Sequence, residues 1–430
     1  MNERRSLRPS NLGQVASGAI RRHKPDYRLV LYMGLLMMLG LVIMYAIGPQ
    51  RAQVLNTSYG TDFYTATYFF TKQALSLVFA LGTFFVVSKI PISWWHNNAK
   101  RLFFIGIGAS ALLAVGGWLG LGFVQCSLGA CRWFDLGPFG SIQPAEFLKF
   151  GLLLFASTFL AYRVKQGIVN DLYKTLIPFG AMLLLVAFFV IGIQKDMGTG
   201  LVMFAMVACM VTVAGINLRV GAGLLAAAFA LGVFMIITAA HRINRVITFF
   251  QGDAAGVDDA GAYHIAHAKI AIGSGGFTGV GIGNSVQATG YLPEAINDSV
   301  FAIMGETFGF VGLVLVLLLF GALLYGLLRT ADRLTGMAEK LLVIGVFGWL
   351  AAHVILNVAA MTGIFPLTGI TLPLLSFGGT SMVFIAGALG LAFQLSSYTV
   401  HSTVTEGDRY EDSRGRRGLR RARYASRSRM

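Results

Sequence analysis

Long apolar segments recur along this chain and constrain its fold more than any other feature. Of its 430 residues, 56% are hydrophobic and only 12% are charged, whereas soluble domains carry about 25% charged residues. A helix needs roughly 20 apolar residues to cross a bilayer. Ten segments approach or reach that length, at about 29–48, 68–88, 102–122, 144–162, 175–192, 199–215, 220–239, 299–328, 341–361 and 372–398. The sequence therefore predicts an all-α, polytopic integral membrane protein with about ten transmembrane helices.

The basic residues predict which side of the membrane each loop occupies. Lys and Arg near the ends of spans are retained in the cytoplasm. If the amino terminus is cytoplasmic, most of the 34 Lys and Arg residues fall on the cytoplasmic side. We therefore expect both termini in the cytoplasm and a long extracytoplasmic loop, about 240–298, between the seventh and eighth helices. Within this loop, AYHIAHAKIAIGSGG has the apolar spacing of a short amphipathic helix.

No internal repeat and no soluble domain are visible in the sequence. We expect a basic cytoplasmic tail over 1–28, one ten-helix membrane domain over 29–398, and an Arg-rich cytoplasmic tail over 399–430. The composition of the second tail predicts disorder and binding to anionic membrane lipids or a protein, rather than to nucleic acid.

The cysteines and histidines predict little chemistry of their own. Three cysteines cannot form a disulfide framework, and Cys209 lies in a predicted span, where packing is its expected role. Cys126 and Cys131 share an outer loop, so a local disulfide is compatible with the sequence. His264 and His267 are three residues apart but lack an evident third ligand, so no metal site is predicted.

A glycine-dense polar segment runs directly into the eighth apolar segment. Residues 271–306 read AIGSGGFTGVGIGNSVQATGYLPEAINDSVFAIMGE, with six glycines from Gly273 to Gly283. Irregular backbone persists at a membrane boundary only where protein or water satisfies its N–H and C=O groups. Glycines also let backbone approach backbone, or a bulky ligand, closely. We therefore expect this segment to line a site.

Ionisable side chains gather near the predicted outer ends of the spans. They are Arg132, Glu146, Lys149, Lys195, Asp196, Arg242, Arg245, Lys269, Glu294, Asp298 and Glu306. Charges at membrane depth are expensive and point by default to function. Their shared side predicts one outward-facing polar cleft, and the hydroxylated segment around Ser376 is expected to build part of its wall.

Several of these residues have a structural interpretation beside the functional one. Glu146 and Lys149 share a helix face and form either an anchoring ion pair or a functional one. Asp196 precedes a predicted helix, where capping is the simpler role. Arg242 and Arg245 suit a diphosphate and ordinary phospholipid headgroups equally well.

Asp298 also allows two interpretations. In NDSVF it is suited to cap the eighth helix. It also lies beside the glycine-dense segment, opposite several cationic side chains, where a carboxylate is placed to act as a general base.

Five motifs in one order resemble the SEDS family of bacterial membrane proteins, named for shape, elongation, division and sporulation. They are CRWFDLGPFGSIQPAEFLKF, QKDMGTG, AIGSGGFTGVGIGNSVQ, YLPEAINDSVFAIMGE and PLTGITLPLLSFGGTS, and the resemblance covers about 28–398. It implies a peptidoglycan glycosyltransferase that polymerises lipid II, the lipid-linked disaccharide precursor, in the bacterial cytoplasmic membrane. GNSVQ resembles the cell-division branch, which implies a location at the division septum.

The resemblance also implies roles for particular residues. The catalytic aspartate proposed for the family corresponds to Asp298. Substrate contacts are expected from the residues that match its RW and QPxE-xx-K elements and from further polar residues of the outer face, namely Arg132, Trp133, Glu146, Lys149, Asp196, Arg242, Arg245, Lys269, Glu294 and Ser376.

The chain departs from the family pattern in two places. It has Ile-Asn-Asp-Ser at 296–299 where the family commonly has His-Thr-Asp-Phe. The aspartate is kept, but contacts of this loop to the acceptor are expected to differ. His264 and His267 stand where the family usually has Gln, which argues against a direct ligand role for these positions.

The implied reaction begins when Asp298 removes the proton from the 4-hydroxyl of the acceptor sugar. The oxygen then attacks the anomeric carbon of the donor and displaces undecaprenyl diphosphate with inversion. Arg242, Arg245, Lys269 or Lys149 would offset the charge of the leaving group. A divalent cation such as Mg²⁺ or Mn²⁺ is compatible with this step, although the sequence has no dedicated metal motif.

The expected partners are lipid II, a class B penicillin-binding protein acting as a monofunctional transpeptidase, and other division proteins. Two alternatives to the polymerase are a transporter that flips the lipid-linked precursor and a non-catalytic scaffold for the transpeptidase. Transporters commonly place their site at the bilayer midplane between inverted repeats. The charges gathered at the outer face and the lack of visible repeats favour the enzyme.

Overall fold

A computed structural model describes residues 24–127, 130–137, 140–217, 221, 223 and 260–398 of the chain. Over these ranges the backbone is mostly helical, which confirms the predicted fold class. The described helices are α1 (Tyr27–Tyr59), α2 (Tyr68–Lys89), α3 (Ile92–Trp118), α4 (Pro144–Lys165), α5 (Leu172–Ile193), α6 (Met197–Val213), α7 (Ala260–Ser274), α8 (Val300–Asp332), α9 (Met337–Met361) and α10 (Gly379–Ser396).

Eight of the described helices are long and apolar enough to cross a membrane. The two others are α6, which is apolar but shorter, and α7, which has 15 residues. The predicted multi-pass architecture is confirmed, while the number of ten spans stays a prediction. Except for Gly221 and Gly223, the predicted span 220–239 lies outside the described residues, as do Arg242, Arg245 and most of both predicted tails.

Three helix boundaries differ from the prediction, the first two because hydropathy detects only the part of a helix that contacts lipid. α1 continues past the predicted end at 48 to Tyr59, and α3 begins at Ile92, directly after Pro91, rather than at 102. Polar residues there still make helical hydrogen bonds outside the apolar layer. α10 begins at Gly379 rather than at 372, because the stretch before it is irregular.

A small antiparallel sheet, which we call the outer sheet after the predicted side of its loop, connects α3 and α4, where the sequence predicted only a loop. Its strands are β1 (Val124–Ser127), β2 (Ala130–Asp135) and β3 (Ser141–Ile142), in the order β1-β2-β3. Phe134 is paired with Val124 on one side and with Ile142 on the other. Cys126 faces Cys131 and forms a disulfide with it, so the pairing that the sequence allowed is present.

α9 is the central helix of the membrane domain. It packs against α4, α6 and α8, and 78% of its most apolar stretch is buried. Two glycines allow these close contacts, because a Cβ on Gly345 would lie 2.3 Å from Leu153 Cδ1 and one on Gly348 would lie 3.0 Å from Cys209 Sγ. The predicted packing role of Cys209 is therefore confirmed, as small residues at helix interfaces commonly permit close approach.

An irregular stretch between α9 and α10, residues 362–378, is buried in its second half; we call it the proline segment. A Cβ on Gly40 of α1 would lie 2.8 Å from Leu375 O, and one on Gly198 of α6 would lie 2.7 Å from Thr368 O. Irregular backbone at membrane depth is tolerated only where protein satisfies its polar groups. The glycines let two helices approach this backbone closely enough to bury it.

The glycine-dense residues 273–283, the glycine segment, fit into a kink in α8. The kink lies at Gly309, whose φ of 65° and ψ of −167° are not helical. Four backbone hydrogen bonds of 2.8–3.1 Å join the two, from Val280 N–H to Glu306 O, Gly281 N–H to Thr307 O, Phe310 N–H to Gly276 O and Val311 N–H to Phe277 O. The glycines therefore serve a close approach of backbone to backbone, one of the two uses that the sequence allowed, and a role in lining a site stays a prediction.

Gly309→Ala is expected to lower the free energy of unfolding. The backbone conformation at Gly309 is essentially restricted to glycine, and another residue there costs about 1–3 kcal/mol from conformation alone. A Cβ would also lie 2.4 Å from Gly279 N, so the glycine segment must move. The measurement is denaturant unfolding of the purified protein in mixed micelles.

Gly321→Ala is the matched control for this prediction. Gly321 lies in the same helix and has nothing within 4 Å of a built Cβ, so we expect no loss and a gain of up to about 1 kcal/mol. Equal stability of the two alanine variants would contradict the role assigned to Gly309.

Candidate functional site

A turn of residues 293–299, the aspartate turn, leads into α8 and buries Asp298, whose side chain is 8% exposed. The backbone of the turn is held from two sides. Ile296 O accepts from Phe377 N–H of the proline segment at 2.8 Å. Asn357 of α9 donates to Asp298 O and to Ile370 O, both at 2.7 Å. The position of Asp298 is therefore fixed by α9 and by the proline segment together.

Asp298 is not the residue that caps α8. The N-cap position is occupied by Ser299, and α8 begins at Val300. The carboxylate instead lies against a turn of the proline segment, since a Cβ on Gly369 would be 4.0 Å from Asp298 Oδ2 and Gly369 has a φ of +69°. The capping interpretation of Asp298 is thus wrong, and its catalytic role stays a prediction.

Ser299 makes no capping hydrogen bond because its hydroxyl is used elsewhere. The hydroxyl donates to Pro293 O at 2.8 Å and lies 2.6 Å from Nε2 of His264. His264 belongs to α7, whose buried face consists of His264, Ala268 and Ala271. The short helix that the sequence predicted in this loop is therefore present, and it delivers a side chain to the residue next to Asp298.

Glu306, one of the outer charges, holds the loop after the glycine segment. It is 2% exposed and accepts hydrogen bonds from the hydroxyl of Ser285 and from the N–H groups of Val286 and Gln287. A carboxylate is favourable there because the short 3₁₀ turn Gln287–Thr289 presents unpaired N–H groups at its start. Its role is structural.

Glu146 and Lys149 form an ion pair of 2.8 Å in which the side chains are 4% and 0% exposed. Lys149 Nζ also lies 3.4 Å from His353 Nε2 and 4.8 Å from the centre of the Trp349 ring. Because His353 Nδ1 is 3.1 Å from Thr371 O and must donate there, Nε2 is left to accept from Lys149. The predicted ion pair is therefore present, whereas substrate contact by either residue stays a prediction.

His353 and Asn357 are polar residues of this site that the sequence analysis did not identify. They lie four apart on α9, and they bind consecutive parts of the proline segment, at Thr371 O and Ile370 O. One face of α9 thereby connects the buried ion pair with the aspartate turn. The signal was present, because polar side chains inside an apolar span are expensive and point to function.

Arg132 and Asp196 brace the outer loops. Arg132 donates to Gln194 O at 3.1 Å and to Lys195 O at 2.9 Å. Asp196 caps α6 by accepting from Thr199 N–H at 3.0 Å and from the Thr199 hydroxyl at 2.8 Å. The capping interpretation of Asp196 is confirmed. Arg132, from β2, ties the sheet to the turn that precedes α6.

Other predicted residues fall in different settings. Trp133 is half-buried in β2. Lys269 is exposed on α7 and passes over Gly363 at the start of the proline segment. Glu294 is exposed in the aspartate turn and accepts from the amide of Asn297. Ser376 is buried, and its hydroxyl accepts from the N–H of Leu372 at 2.9 Å, which stabilises the proline segment internally.

The structure therefore brings Asp298, Glu294 and Lys269 to elements that meet at the proline segment, while Arg132, Trp133 and Asp196 belong to the outer sheet and its braces. Glu146 and Lys149 lie in the interior. Among the described residues, no group of three His, Cys, Asp or Glu side chains is arranged to hold a metal ion.

Several relatives share most of this chain. Stage V sporulation protein E of Bacillus subtilis is 31% identical over 384 residues, which are 88% of this chain and 99% of the relative. A probable peptidoglycan glycosyltransferase FtsW of Aliivibrio salmonicida is 32% identical over 332 residues, covering 76% and 80% of the two chains.

Solved structures share the fold. The rod shape determining protein RodA of Thermus thermophilus has a TM-score of 0.62 at 25% identity, over 88% of this chain and 98% of RodA. A chain from a peptidoglycan synthase complex, described as coordinating polymerization and crosslinking, has a TM-score of 0.68 at 25% identity, over 86% and 97%. The family model for cell cycle proteins of the FtsW, RodA and SpoVE type matches residues 27–401. The chain therefore belongs to the FtsW/RodA/SpoVE family of cell cycle proteins, which is the SEDS family that its motifs resemble.

Proposed function

We propose that this chain polymerises lipid II into glycan strands at the outer face of the cytoplasmic membrane, with Asp298 as the general base. It is a glycosyltransferase, the activity for which its FtsW relatives are named. The observation that carries the assignment of the base is the position of Asp298. The carboxylate is buried in a polar turn at the start of an apolar helix. The side chain of Asn357 donates a 2.7 Å hydrogen bond to the backbone carbonyl of Asp298.

In the proposed reaction, Asp298 takes the proton from the 4-hydroxyl of the acceptor sugar. The acceptor oxygen forms a bond to the anomeric carbon of the donor, and the bond from that carbon to undecaprenyl diphosphate breaks. The leaving group departs with the electron pair, and the proton remains on Asp298. A general base must be held within hydrogen-bond reach of the proton that it removes. Asn357 and the proline segment hold the aspartate turn from two sides and so keep Asp298 in place.

Charge on the leaving diphosphate requires cations nearby. Lys269 is the exposed cation next to the proline segment, and Arg242 and Arg245 are further candidates in residues that the structure does not describe. Preorganised cations stabilise charge that develops in a transition state. A divalent cation bound to the diphosphate itself would supply the same stabilisation without a dedicated protein site.

We assign the polymerase to cell division, in partnership with a class B penicillin-binding protein and other division proteins at the septum. The GNSVQ motif and the FtsW names of several relatives support this assignment. The structural similarity to a chain of a synthase complex that coordinates polymerization with crosslinking supports a transpeptidase as the partner.

The test is reconstitution of the purified full-length chain in vesicles with labelled lipid II, alone and with a class B transpeptidase. Glycan polymer, resolved by gel electrophoresis, is the expected product in at least one of the two conditions. Translocation of the label across the bilayer without polymer in either condition would replace the polymerase by a transporter. Polymer made only when the transpeptidase is present, and lost with the active-site variant Asp298→Asn, would still support the proposal.

A further inference from the structure

The hydrogen bonds around Ser299 fix the direction of its contact with His264. A serine hydroxyl has one proton to donate, and that proton goes to Pro293 O at 2.8 Å. The 2.6 Å contact between Ser299 Oγ and His264 Nε2 must therefore be donated by the imidazole. His264 thus carries a proton on Nε2 and holds the serine hydroxyl as an acceptor.

This arrangement closes the aspartate turn on itself. Ser299 N–H donates to Glu294 O at 3.3 Å, and the Ser299 hydroxyl donates to Pro293 O. Ser299 thus connects the last residue of the turn to its first two. Serine at an N-cap position usually bonds to the first turn of its helix, but here it makes no such bond. The hydrogen bond from His264 holds the Ser299 hydroxyl, which would otherwise be able to turn toward α8.

Two helices therefore support the backbone on the carboxyl side of Asp298. Asn357 of α9 holds its carbonyl oxygen, and His264 of α7 holds the residue that follows it. His264 is itself 8% exposed, in a helix that packs against α8. Packing confines the rotamer of His264. Its fixed N–H therefore holds Ser299, and with it the neighbouring Asp298, in one position.

We propose that His264 is a positioning residue, which sets the orientation of Asp298 by holding the Ser299 hydroxyl. The proposal rests on the assigned role of Asp298 as the general base. His264 itself does not touch the reacting atoms. Its donor holds the aspartate turn in the conformation that places the carboxylate beside Gly369.

The first variant is His264→Leu, which keeps an apolar volume but removes the donor. Ser299 is then free to cap α8, and the aspartate turn relaxes. Displacement of a catalytic group by about 1 Å can cost about 100-fold in rate, so we expect kcat to fall by about 10-fold to 100-fold. KM for lipid II should stay within about twofold, because the lost interaction acts in the transition state.

Two further variants separate positioning from packing. His264→Gln restores an N–H donor on a flexible side chain and is expected to return kcat to within about fivefold of wild type. His267→Leu is the matched control, since His267 lies on the same helix and makes its own 2.7 Å hydrogen bond to Gln287 Oε1. Its kcat should stay within about twofold of wild type.

The measurement is the steady-state rate of glycan polymerisation by the full chain in vesicles, with unfolding midpoints recorded for each variant. A loss in His264→Leu that is rescued by His264→Gln, and that Ser299→Ala does not deepen, supports the proposal. An unchanged kcat in His264→Leu, or equal losses in the Leu and Gln variants, would overturn it. Full activity of Asp298→Asn would instead remove the base assignment, so the two failures are distinguishable.

Discussion

Lys149→Met is expected to lower the free energy of unfolding by about 3–5 kcal/mol, the usual cost of removing one partner of a buried ion pair. Glu146 is 3% exposed and would lose the ammonium group that lies 2.8 Å from its carboxylate. His353 would also lose the donor at its Nε2. Methionine replaces the lysine side chain out to Cε and lacks only the ammonium group, so lost packing contributes little. Denaturant unfolding in mixed micelles measures the effect.

The double variant Glu146→Gln with Lys149→Met tests whether the charge or the packing causes the loss. Without an uncompensated carboxylate, most of the stability should return, because a buried ion pair is often replaceable by neutral groups at little cost. If Lys149→Met were as stable as the wild type yet inactive, Lys149 would act on the substrate directly, as the family resemblance implied.

The burial of Lys149 shows what a sequence pattern leaves undetermined. The spacing of Glu146 and Lys149 predicts that they share a helix face, and that is observed. It does not reveal what packs against that face. Here α9 supplies Trp349 and His353 from about two hundred residues away in sequence, so a lysine expected in an outer cleft lies in the interior.

The helices themselves were predictable because membrane spans are long apolar segments. The residues before 102 were not recognised as part of α3, since SWWHNNAKR is polar and lies where lipid contact ends. The outer sheet was missed because its longest strand has six residues, and its pairing depends on the neighbouring strand rather than on periodicity. Local sequence gives weak information about such short strands.

The close packing of the glycine segment was predictable, but its partner was not. Clustered glycines predict close approach of backbone. The partner is the kink at Gly309, which lies within a run of apolar residues that reads as one continuous helix. A left-handed backbone conformation does not change the hydropathy of a segment, so the kink could be identified only from the structure.

Asp298→Asn is expected to reduce kcat for glycan polymerisation by about 10²-fold to 10⁴-fold, the contribution usual for a general base. Asparagine has nearly the same shape as aspartate but cannot accept the proton. The bond from Asn357 goes to the backbone carbonyl of residue 298, so the turn should keep its conformation. KM for lipid II should change little, because the lost step is proton transfer rather than binding.

Asp135→Asn is the matched control for this substitution. Asp135 is a half-buried carboxylate of the outer sheet, and the N–H of Gly137 and the amide of Gln125 hold its pKa below the usual value. The two hydrogen bonds reach different carboxylate oxygens, so asparagine can accept one of them while keeping the shape of the side chain. We therefore expect kcat within about twofold of wild type, and a large loss here would show that activity is sensitive to outer-face charge in general.

The most direct measurement of the central claim is the rate of glycosidic bond formation by wild type and Asp298→Asn in the same vesicles, with radiolabelled lipid II and, where needed, the class B transpeptidase. A wild-type rate at least about 100-fold above that of the variant, with equal unfolding midpoints, is the predicted result. Rates that agree within about twofold would contradict the assignment of Asp298 as the base.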